Sequence, residues 1–278
     1  MKIVHLDSGR EMRGGQWQVL QLIEALAAAG HEQVLLARMD GPLAARVKIP
    51  VRSWGSAWKE RGDVFHAHDA RSHTLAALTL RRPLVVARRV AFAVKHRWKY
   101  RLGDCYIAVS EAVAGELRRA GVAEGRIRVV YDGVPELPAS TRTGPVIALA
   151  TEDPMKGAAL IRESGVACAF SEDLRRDLAT ASAFLYITHQ EGLGSAALLA
   201  MAAGVPVIAS RVGGLPEIVK DGETGILVEN TVAAIRAAVS RVGELGAMGD
   251  RGREVVRERF LLRHMAAATV KVYEELAL

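Results

Sequence analysis

The stretch EGLGSAALLAMAAGVPVIASRVGGLPEIV, from Glu191 to Val219, carries the strongest fold signal in the chain. Its pattern predicts a glycine loop and then a helix of small residues from Ser195 to Ala203, ended by a C′ glycine at Gly204. The run from Val205 to Ala209 is apolar and of strand length, as in a parallel sheet covered on both faces. The order of these segments predicts an α/β fold.

Two glycine loops flank this predicted strand. Gly192 and Gly194 precede the helix, whereas Gly213-Gly214 follows the strand at its carboxyl end, the edge at which open α/β sheets bind ligands. Backbone N–H groups at helix N-termini behind such loops hold anions. The pattern therefore predicts two places for a bound phosphate.

Strand and helix patterns alternate outward from this stretch, which is typical of parallel sheets with right-handed crossovers. Helices are predicted at Trp17 to Ala29 and Ala112 to Ala120. The predicted strands are Ile3 to Leu6, Gln33 to Ala37, Val64 to His68, Leu84 to Ala87, Tyr106 to Val109, Ile127 to Val130 and Val146 to Leu149.

Composition is that of an ordinary soluble globular protein, with 50% hydrophobic and 24% charged residues in 278. No apolar stretch reaches transmembrane length, and the N-terminus does not read as a signal peptide. Cys105 and Cys168 stand apart from any C-x-x-C pattern and are expected to be reduced thiols. We therefore expect a cytoplasmic protein.

The motifs resemble those of the retaining, nucleotide-sugar-dependent glycosyltransferases of family 4, which have the GT-B fold. The family pattern runs E-G-x-G, a second Glu eight positions after the first, A-M-A-x-G-x-P-V and G-G-x-P-E, and Glu191 to Glu217 carries nearly all of it. Further matches are Met1 to Leu6, Gly14-Gly15, Asp63 to His68 (D-V-x-H-x-H), Ala108 to Glu111 (A-V-S-E) and Lys156-Gly157.

The resemblance implies two Rossmann-like parallel-sheet domains facing across a cleft. We expect an acceptor-side domain at 1–131, a linker rich in Gly and Pro at 132–145, and a nucleotide-sugar domain at 146–250. By the same analogy, the C-terminal helices of 251–278 pack back toward the first domain. The second domain is expected to be compacted, since only one helix fits between Gly157 and the strand predicted at Val166 to Phe170.

The resemblance also assigns roles to individual residues. Lys156 would bind the donor diphosphate, and Glu191 would contact the hydroxyls of the donor sugar. His68 would lie near the bond being formed, at the carboxyl end of its strand. Each has a structural alternative: a solvated turn lysine, a carboxylate at a helix N-terminus, and a core histidine like His66. The expected donor-binding loops are Gly14, Gly15, Gly192, Gly194, Ser195, Gly213 and Gly214.

The sequence departs from the family pattern at two donor positions. Thr151 stands where the family has an Arg that clamps the diphosphate together with the Lys, so that Arg10, Arg13 or Arg211 would have to replace it. Leu199 stands where the family has the second Glu, which holds the ribose. Losing such a contact costs about 0.5–1.5 kcal/mol for a neutral hydrogen bond and about 1.5–3 kcal/mol with a charged partner. Donor affinity would fall, while the chemistry could survive.

Positive charge is concentrated between Arg81 and Arg101, where eight Lys or Arg occur without an acidic residue, against a net charge of +6 for the whole chain. Part of this segment resembles an acceptor-side signature of some family members, and its candidate contacts are Arg88, Arg89, Lys95 and Lys99. An anionic membrane surface, an anionic acceptor, nucleic acid or a solvated basic face would each explain the charge. We favour the first two, and we expect no nucleic-acid partner.

These features predict a retaining glycosyltransferase that moves a sugar from a nucleotide donor to an acceptor hydroxyl on an anionic or lipid-linked glycan, at the inner face of the cell membrane. No cofactor is expected beyond the donor, whose base stays open. No metal site is expected either, since the sequence shows no metal-ligand spacing, and the G-x-G-x-x-G spacing of NAD-binding folds is missing. The alternative is a degenerate, non-catalytic relative that binds sugar nucleotides or partners an active enzyme.

Overall fold

The computed structural model describes residues 1–56, 59–79, 82–94 and 96–277. It divides into two compact units, the first formed by Met1–Gly133 with Leu262–Leu278 and the second by Val134–Leu261. Each unit is built around one parallel β-sheet, as the alternating pattern predicts. Within the described ranges, no helix is long and apolar enough to cross a membrane.

The sheet of the first unit has the order β3-β2-β1-β4-β5-β6-β7, and every neighbouring pair runs parallel. This order reverses direction at β1, so that β1 and β4 lie at the centre of the sheet. Its strands are β1 (Lys2–Leu6), β2 (Glu32–Leu36), β3 (Val51–Arg52), β4 (Val64–Ala67), β5 (Leu84–Arg88), β6 (Cys105–Ala108) and β7 (Ile127–Val129).

The helices between these strands begin at polar caps. Asp69 forms a capping box with Ser72 at the start of α2, and the Ser110 hydroxyl accepts from the Val113 amide at the start of α3. These two helices and the first one are α1 (Gly14–Ala28), α2 (Ala70–Leu78) and α3 (Glu111–Arg119).

The sheet of the second unit has the order β12-β11-β10-β8-β9, again parallel throughout. Its strands are β8 (Val146–Leu149), β9 (Ala169–Ser171), β10 (Ala183–Tyr186), β11 (Val207–Ser210) and β12 (Gly225–Val228). The helices are α4 (Ala158–Ser164), α5 (Leu174–Asp177), α6 (Ser195–Ala202), α7 (Leu215–Ile218), α8 (Val232–Val239) and α9 (Gly246–Arg259). As expected for a compacted unit, α4 is the helix between Gly157 and β9.

The last helix, α10 (Leu262–Ala277), belongs to the first unit. Its buried Met265, Val272 and Tyr273 pack into the core formed by Ile3 of β1 and Val64 of β4. The Tyr273 hydroxyl lies 2.6 Å from His66 Nδ1, which adds a buried polar contact to this apolar interface. A segment distant in the chain therefore completes the core of the first unit.

The boundaries of the units differ from the expected ones at 132–145 and 250. Most of the expected linker is bound to the second unit, where the Ser140 amide donates to the Ala203 carbonyl at 2.8 Å and the Gly144 amide to the Thr180 carbonyl at 2.7 Å. Helix α9 also stays with the second unit and contacts α6. The composition of 132–145 does not reveal these hydrogen bonds, because their partners are distant in sequence.

Gly249 allows α9 to approach the segment at Gly204 and Pro206 closely, and a substitution that adds a Cβ tests this packing. A methyl group there would overlap the Gly204 carbonyl oxygen and lie 2.9 Å from Pro206 Cδ. We expect Gly249→Ala to lower the free energy of unfolding by about 1–3 kcal/mol, as overpacking does. Gly243→Ala is the control because a Cβ there meets no described atom within 4 Å. Urea unfolding measures the free energy of unfolding of both variants. Equal values for Gly249→Ala and Gly243→Ala would contradict this packing.

Candidate active site

Three loops of the second unit meet at the carboxyl edge of its sheet. Lys156 follows β8, Glu191 follows β10, and Gly213 follows β11. In the sheet, β10 lies directly between β8 and β11, and all three strands run parallel. Residues that are far apart in sequence therefore come together at this edge, which is where open α/β sheets bind ligands.

Lys156 and Glu191 form an ion pair, with 2.7 Å between Nζ and Oε2. Both side chains are partly buried, with exposed fractions of 29% for Lys156 and 15% for Glu191. The other carboxylate oxygen, Oε1, accepts from the Gly192 amide at 3.1 Å. The structure thus joins the two residues that the sequence assigns to the donor diphosphate and the donor sugar.

Tyr186 is a third member of this cluster, and sequence reasoning missed it. Its hydroxyl donates a short hydrogen bond to Glu191 Oε2 and lies 3.4 Å from Lys156 Nζ. Burial, and then the charge of Glu191, raise the pKa of Tyr186 well above its ordinary value, so it stays a phenol. The signal was its position as the last residue of β10, at the carboxyl edge.

A hydrogen-bond network around the buried Thr188 and Ser210 fixes the loops around Lys156. The Thr188 hydroxyl donates to the Met155 carbonyl at 3.0 Å, and the Thr188 amide donates to Ser210 Oγ at 2.9 Å. Ser210 in turn donates to Asn230 Oδ1 at 2.6 Å, and Asn230 Nδ2 donates back to the Thr188 carbonyl at 2.9 Å. This network connects the loops after β8, β10, β11 and β12, so Lys156 is held by more than its own turn.

The glycine loops lie close to Glu191. Gly213 has a φ of 54°, and a Cβ there would overlap the Glu191 carbonyl oxygen. The Gly214 amide donates to that same carbonyl at 3.3 Å. Gly194, with a φ of 107°, packs against Leu215, and Ser195 begins α6. The second loop therefore supports the Glu191 backbone, and the Gly214 amide is already used there.

Thr151 and Leu199, the two departures from the family pattern, supply neither a positive charge nor a carboxylate in the structure. The Thr151 hydroxyl accepts from the Asp153 amide at 3.1 Å and brings no positive charge. Leu199 is half-buried on α6, one turn beyond Ser195. Arg211 pairs with Asp221 in the second unit, and Arg13 pairs with Glu11 in the first. Two of the arginines suggested as replacements therefore already have carboxylate partners.

His68 belongs to a cluster of three buried histidines in the first unit. His5 Nδ1 and His68 Nε2 share a hydrogen bond of 2.9 Å, and His5 Nε2 lies 2.9 Å from Gln33 Oε1. His66 comes from the same strand end, and its ring centroid lies 4.0 Å from that of His68. Burial lowers the pKa of His5 to about 4 and those of His66 and His68 well below the ordinary value, so all three are neutral at pH 7.

The histidine cluster bears on the expectation that the chain holds no metal. One ring nitrogen from each of His5, His66 and His68 lies within 4.8 Å of the others, a grouping that sequence spacing does not reveal. His66 Nε2 and His68 Nδ1 lack a hydrogen-bond partner in the part of the chain that the structure describes. These three residues are where an ion could be held. Absence of a metal stays a prediction.

Gly14 and Gly15 form the first turn of α1, after an N-cap Arg13 whose side chain makes no capping hydrogen bond. A Cβ on either glycine would meet no atom within 4 Å among the described residues. The backbone at this helix N-terminus is therefore sterically accessible. Its role in donor binding stays a prediction.

The basic segment 81–101 engages most of its candidate contacts internally. Arg88 donates to the Tyr100 hydroxyl at 2.8 Å, and Arg89 lies 3.5 Å from the Asp132 carboxylate. Lys99 is buried and donates to the Ala70 carbonyl at 2.8 Å. Lys95 and Arg81 lie outside the described residues. The charge count of this segment therefore overstates how much of it is available to a membrane or an acceptor.

Two family models match most of the chain. Residues 12–136 match the model described as Glycosyltransferase Family 4, and residues 125–244 match Glycosyl transferases group 1. The chain belongs to glycosyltransferase family 4. This confirms the resemblance that the glycine loops and the E-G-x-G motif indicate.

Curated relatives match over about a third of this family 4 chain. An MMP α-(1→4)-mannosyltransferase of Mycolicibacterium hassiacum is 38% identical over 110 residues, which are 37% of this chain and 27% of the relative. An α-maltose-1-phosphate synthase of Mycolicibacterium smegmatis is 37% identical over 115 residues, which are 37% of this chain and 30% of the relative. The matches thus span less than a third of either relative's length.

The fold agrees with that of a solved structure. Anabaena Alr3699/HepE, crystallised with UDP and glucose, superposes with a TM-score of 0.83 at 17% identity, covering 99% of this chain and 100% of that one. Together with the two parallel sheets, this likeness confirms the predicted GT-B fold class.

The buried histidines predict a pH dependence of stability. Since the folded-state pKa of His5 is about 4 and the ordinary value is 6.5, the unfolded chain binds more protons between these values, and stability falls as pH falls. We expect His5 alone to lower the free energy of unfolding by roughly 2 kcal/mol as the pH falls from about 7 to about 5. Urea unfolding at both pH values measures this. In His5→Gln the loss should be smaller, and an unchanged pH dependence would contradict the assignment.

Proposed function

We propose that the chain is a retaining glycosyltransferase that takes a sugar from a nucleoside-diphosphate donor. The observation that carries this proposal is the Lys156–Glu191–Tyr186 cluster at the carboxyl edge of the second sheet. An ammonium group held beside a carboxylate and a phenol matches the two ends of such a donor. UDP is the first nucleotide to test, because the structural neighbour HepE was crystallised with it.

The chemistry follows from the charges of the cluster. Breaking the bond between sugar and phosphate develops negative charge on the leaving diphosphate, and a preorganised cation stabilises that charge. We propose that Lys156 exchanges Glu191 for the diphosphate when the donor binds. Glu191, released from the ammonium but still held by Tyr186 and the Gly192 amide, then accepts hydrogen bonds from the sugar hydroxyls.

The acceptor hydroxyl is proposed to attack from the face that the diphosphate leaves, with its proton passing to the leaving phosphate. No protein general base is then required, which fits His68, because burial holds the pKa of this histidine well below its ordinary value and makes it a poor proton acceptor. Proton NMR of the product reads the anomeric configuration and tests retention. The acceptor is proposed to be an anionic or lipid-linked glycan. Because Arg88, Arg89 and Lys99 have internal partners, its anion contact is better sought elsewhere.

A non-catalytic role is the second candidate, and specific observations favour it. Leu199 cannot accept hydrogen bonds from a ribose, Thr151 brings no second cation, and Arg211 is engaged by Asp221. A chain that binds sugar nucleotides weakly, or that supports an active partner, would have these properties.

Removing the Lys156 ammonium tests catalysis. We expect Lys156→Met to lower turnover about 100-fold or more, the loss seen when an electrostatic contact to the developing charge is removed. Lys220→Met is the control, since this lysine is exposed and pairs with Glu223 at 3.7 Å. The donor is chosen as the one whose nucleoside diphosphate raises the melting temperature of the chain. Release of that nucleoside diphosphate measures turnover. Wild-type turnover in Lys156→Met would exclude the residue from the mechanism.

Restoring the family carboxylate at position 199 separates the two candidate functions. We expect Leu199→Glu to tighten donor binding about tenfold or more, because each ribose hydroxyl gains a charged acceptor worth about 1.5–3 kcal/mol. Leu199→Gln, which is similar in size but uncharged, should gain less. Calorimetric titration with UDP, GDP and ADP measures both. No gain with any of the three would show that the rest of the ribose site is missing and would favour the non-catalytic role.

A further inference from the structure

A cavity of about 360 Å³ lies in the first unit, apart from the histidine cluster. That volume falls within the range of pockets for small ligands. Its lining combines positive charge with two apolar side chains: Ser8, Arg10, Arg38, Trp54, Arg71 and Leu75.

Sheet order brings this lining together. Ser8 and Arg10 follow β1, Arg38 follows β2, Trp54 follows β3, and Arg71 lies in the first turn of α2 after β4. These are four adjacent parallel strands in the order β3-β2-β1-β4. The cavity therefore occupies the carboxyl edge of the sheet, beside the reversal of strand order at β1, where ligands of such folds bind.

Three guanidinium groups face one cavity, and its described lining contains no carboxylate. Arg38 pairs with the exposed Asp40 at 2.7 Å. The exposed side chains of Arg10 and Arg71 make no ion pair with any described residue. Guanidinium groups recognise phosphate by paired N–H donors in a fixed planar arrangement.

The loop that carries Arg10 is fixed in place before any ligand arrives. The Ser8 amide and hydroxyl both donate to the Asp69 carboxylate, at 2.6 and 2.7 Å. The same carboxylate accepts from the Arg71 amide at 2.8 Å and caps α2. The Asp69 carboxylate therefore accepts hydrogen bonds from backbone amides and a hydroxyl group. These bonds hold the Arg10 loop beside the first turn of α2, which carries Arg71.

We propose that this cavity binds a phosphomonoester, with Arg10, Arg38 and Arg71 holding the phosphoryl oxygens and Trp54 and Leu75 contacting the group that carries it. A carboxylate offers two oxygens and one negative charge, whereas a phosphomonoester offers three terminal oxygens and about two negative charges, which matches three guanidinium groups better. Identifying this ligand as the glycosyl acceptor rests on the proposed function. The phosphoryl site itself does not.

The test is calorimetric titration of the full chain with glucose 6-phosphate, using glucose and inorganic phosphate as comparison ligands. We expect glucose 6-phosphate to bind, glucose not to bind, and added NaCl to weaken the interaction. Arg10→Gln and Arg71→Gln should each weaken binding about tenfold, the equivalent of one charged hydrogen bond. Arg61→Gln, an exposed arginine of the same unit outside the cavity lining, should bind like wild type.

A second arm distinguishes a soluble phosphate ester from a lipid headgroup. Cosedimentation with phosphatidylcholine vesicles, with and without phosphatidic acid, is measured for the same variants. Dependence on Arg10 and Arg71 in either arm supports the phosphoryl site and identifies its source. If both arms show no such dependence, or if Arg61→Gln weakens binding equally, the proposal is overturned. UDP titration of the wild-type chain reports the donor site independently, so failure of the proposed function is seen separately.

Discussion

The Lys156–Glu191 ion pair depends on the parallel order of β8, β10 and β11, because only adjacent strands of one direction deliver both residues to the same edge. Breaking a buried pair by removing one partner costs about 3–5 kcal/mol, since it leaves a charge without compensation. The cost is lower here because both groups are partly exposed. A substrate that carries phosphate at one end and hydroxyls at the other can replace both partners at once. In the proposed mechanism, each member of the pair compensates the charge of the other until a donor binds.

Each sheet places its cations at its carboxyl edge by a different arrangement. In the second unit one ammonium lies against a carboxylate and a phenol, and the Thr188–Ser210–Asn230 network fixes the loops around it. In the first unit three arginines line a cavity, and Asp69, which caps α2, accepts hydrogen bonds from nearby amide and hydroxyl groups. The first arrangement suits a ligand that must be activated and released. The second suits recognition of a fixed negative charge.

The sequence predicts the fold class, and it singles out both Lys156 and Glu191 as candidates, because the fold and these two residues lie in local sequence patterns. The E-G-x-G loop, the apolar run of β11 and the K-G turn each fall where the pattern indicates. Contacts between distant segments were missed. Tyr186 looks like any core aromatic, the three histidines meet only through strand pairing, and the Ser140 and Gly144 hydrogen bonds move the expected linker into the second unit. A charge count at 81–101 likewise does not reveal the internal partners of Arg88, Arg89 and Lys99.

A crystal structure of the chain with a bound nucleoside diphosphate, chosen as the one that most raises the melting temperature, tests the role of the Lys156–Glu191 pair. We expect Lys156 Nζ to leave Glu191 and to lie within hydrogen-bond distance of a β-phosphate oxygen, while Glu191 keeps its contacts with Tyr186 and the Gly192 amide. A nucleotide bound with the Lys156–Glu191 pair intact, and with no phosphate contact from Lys156, would contradict it.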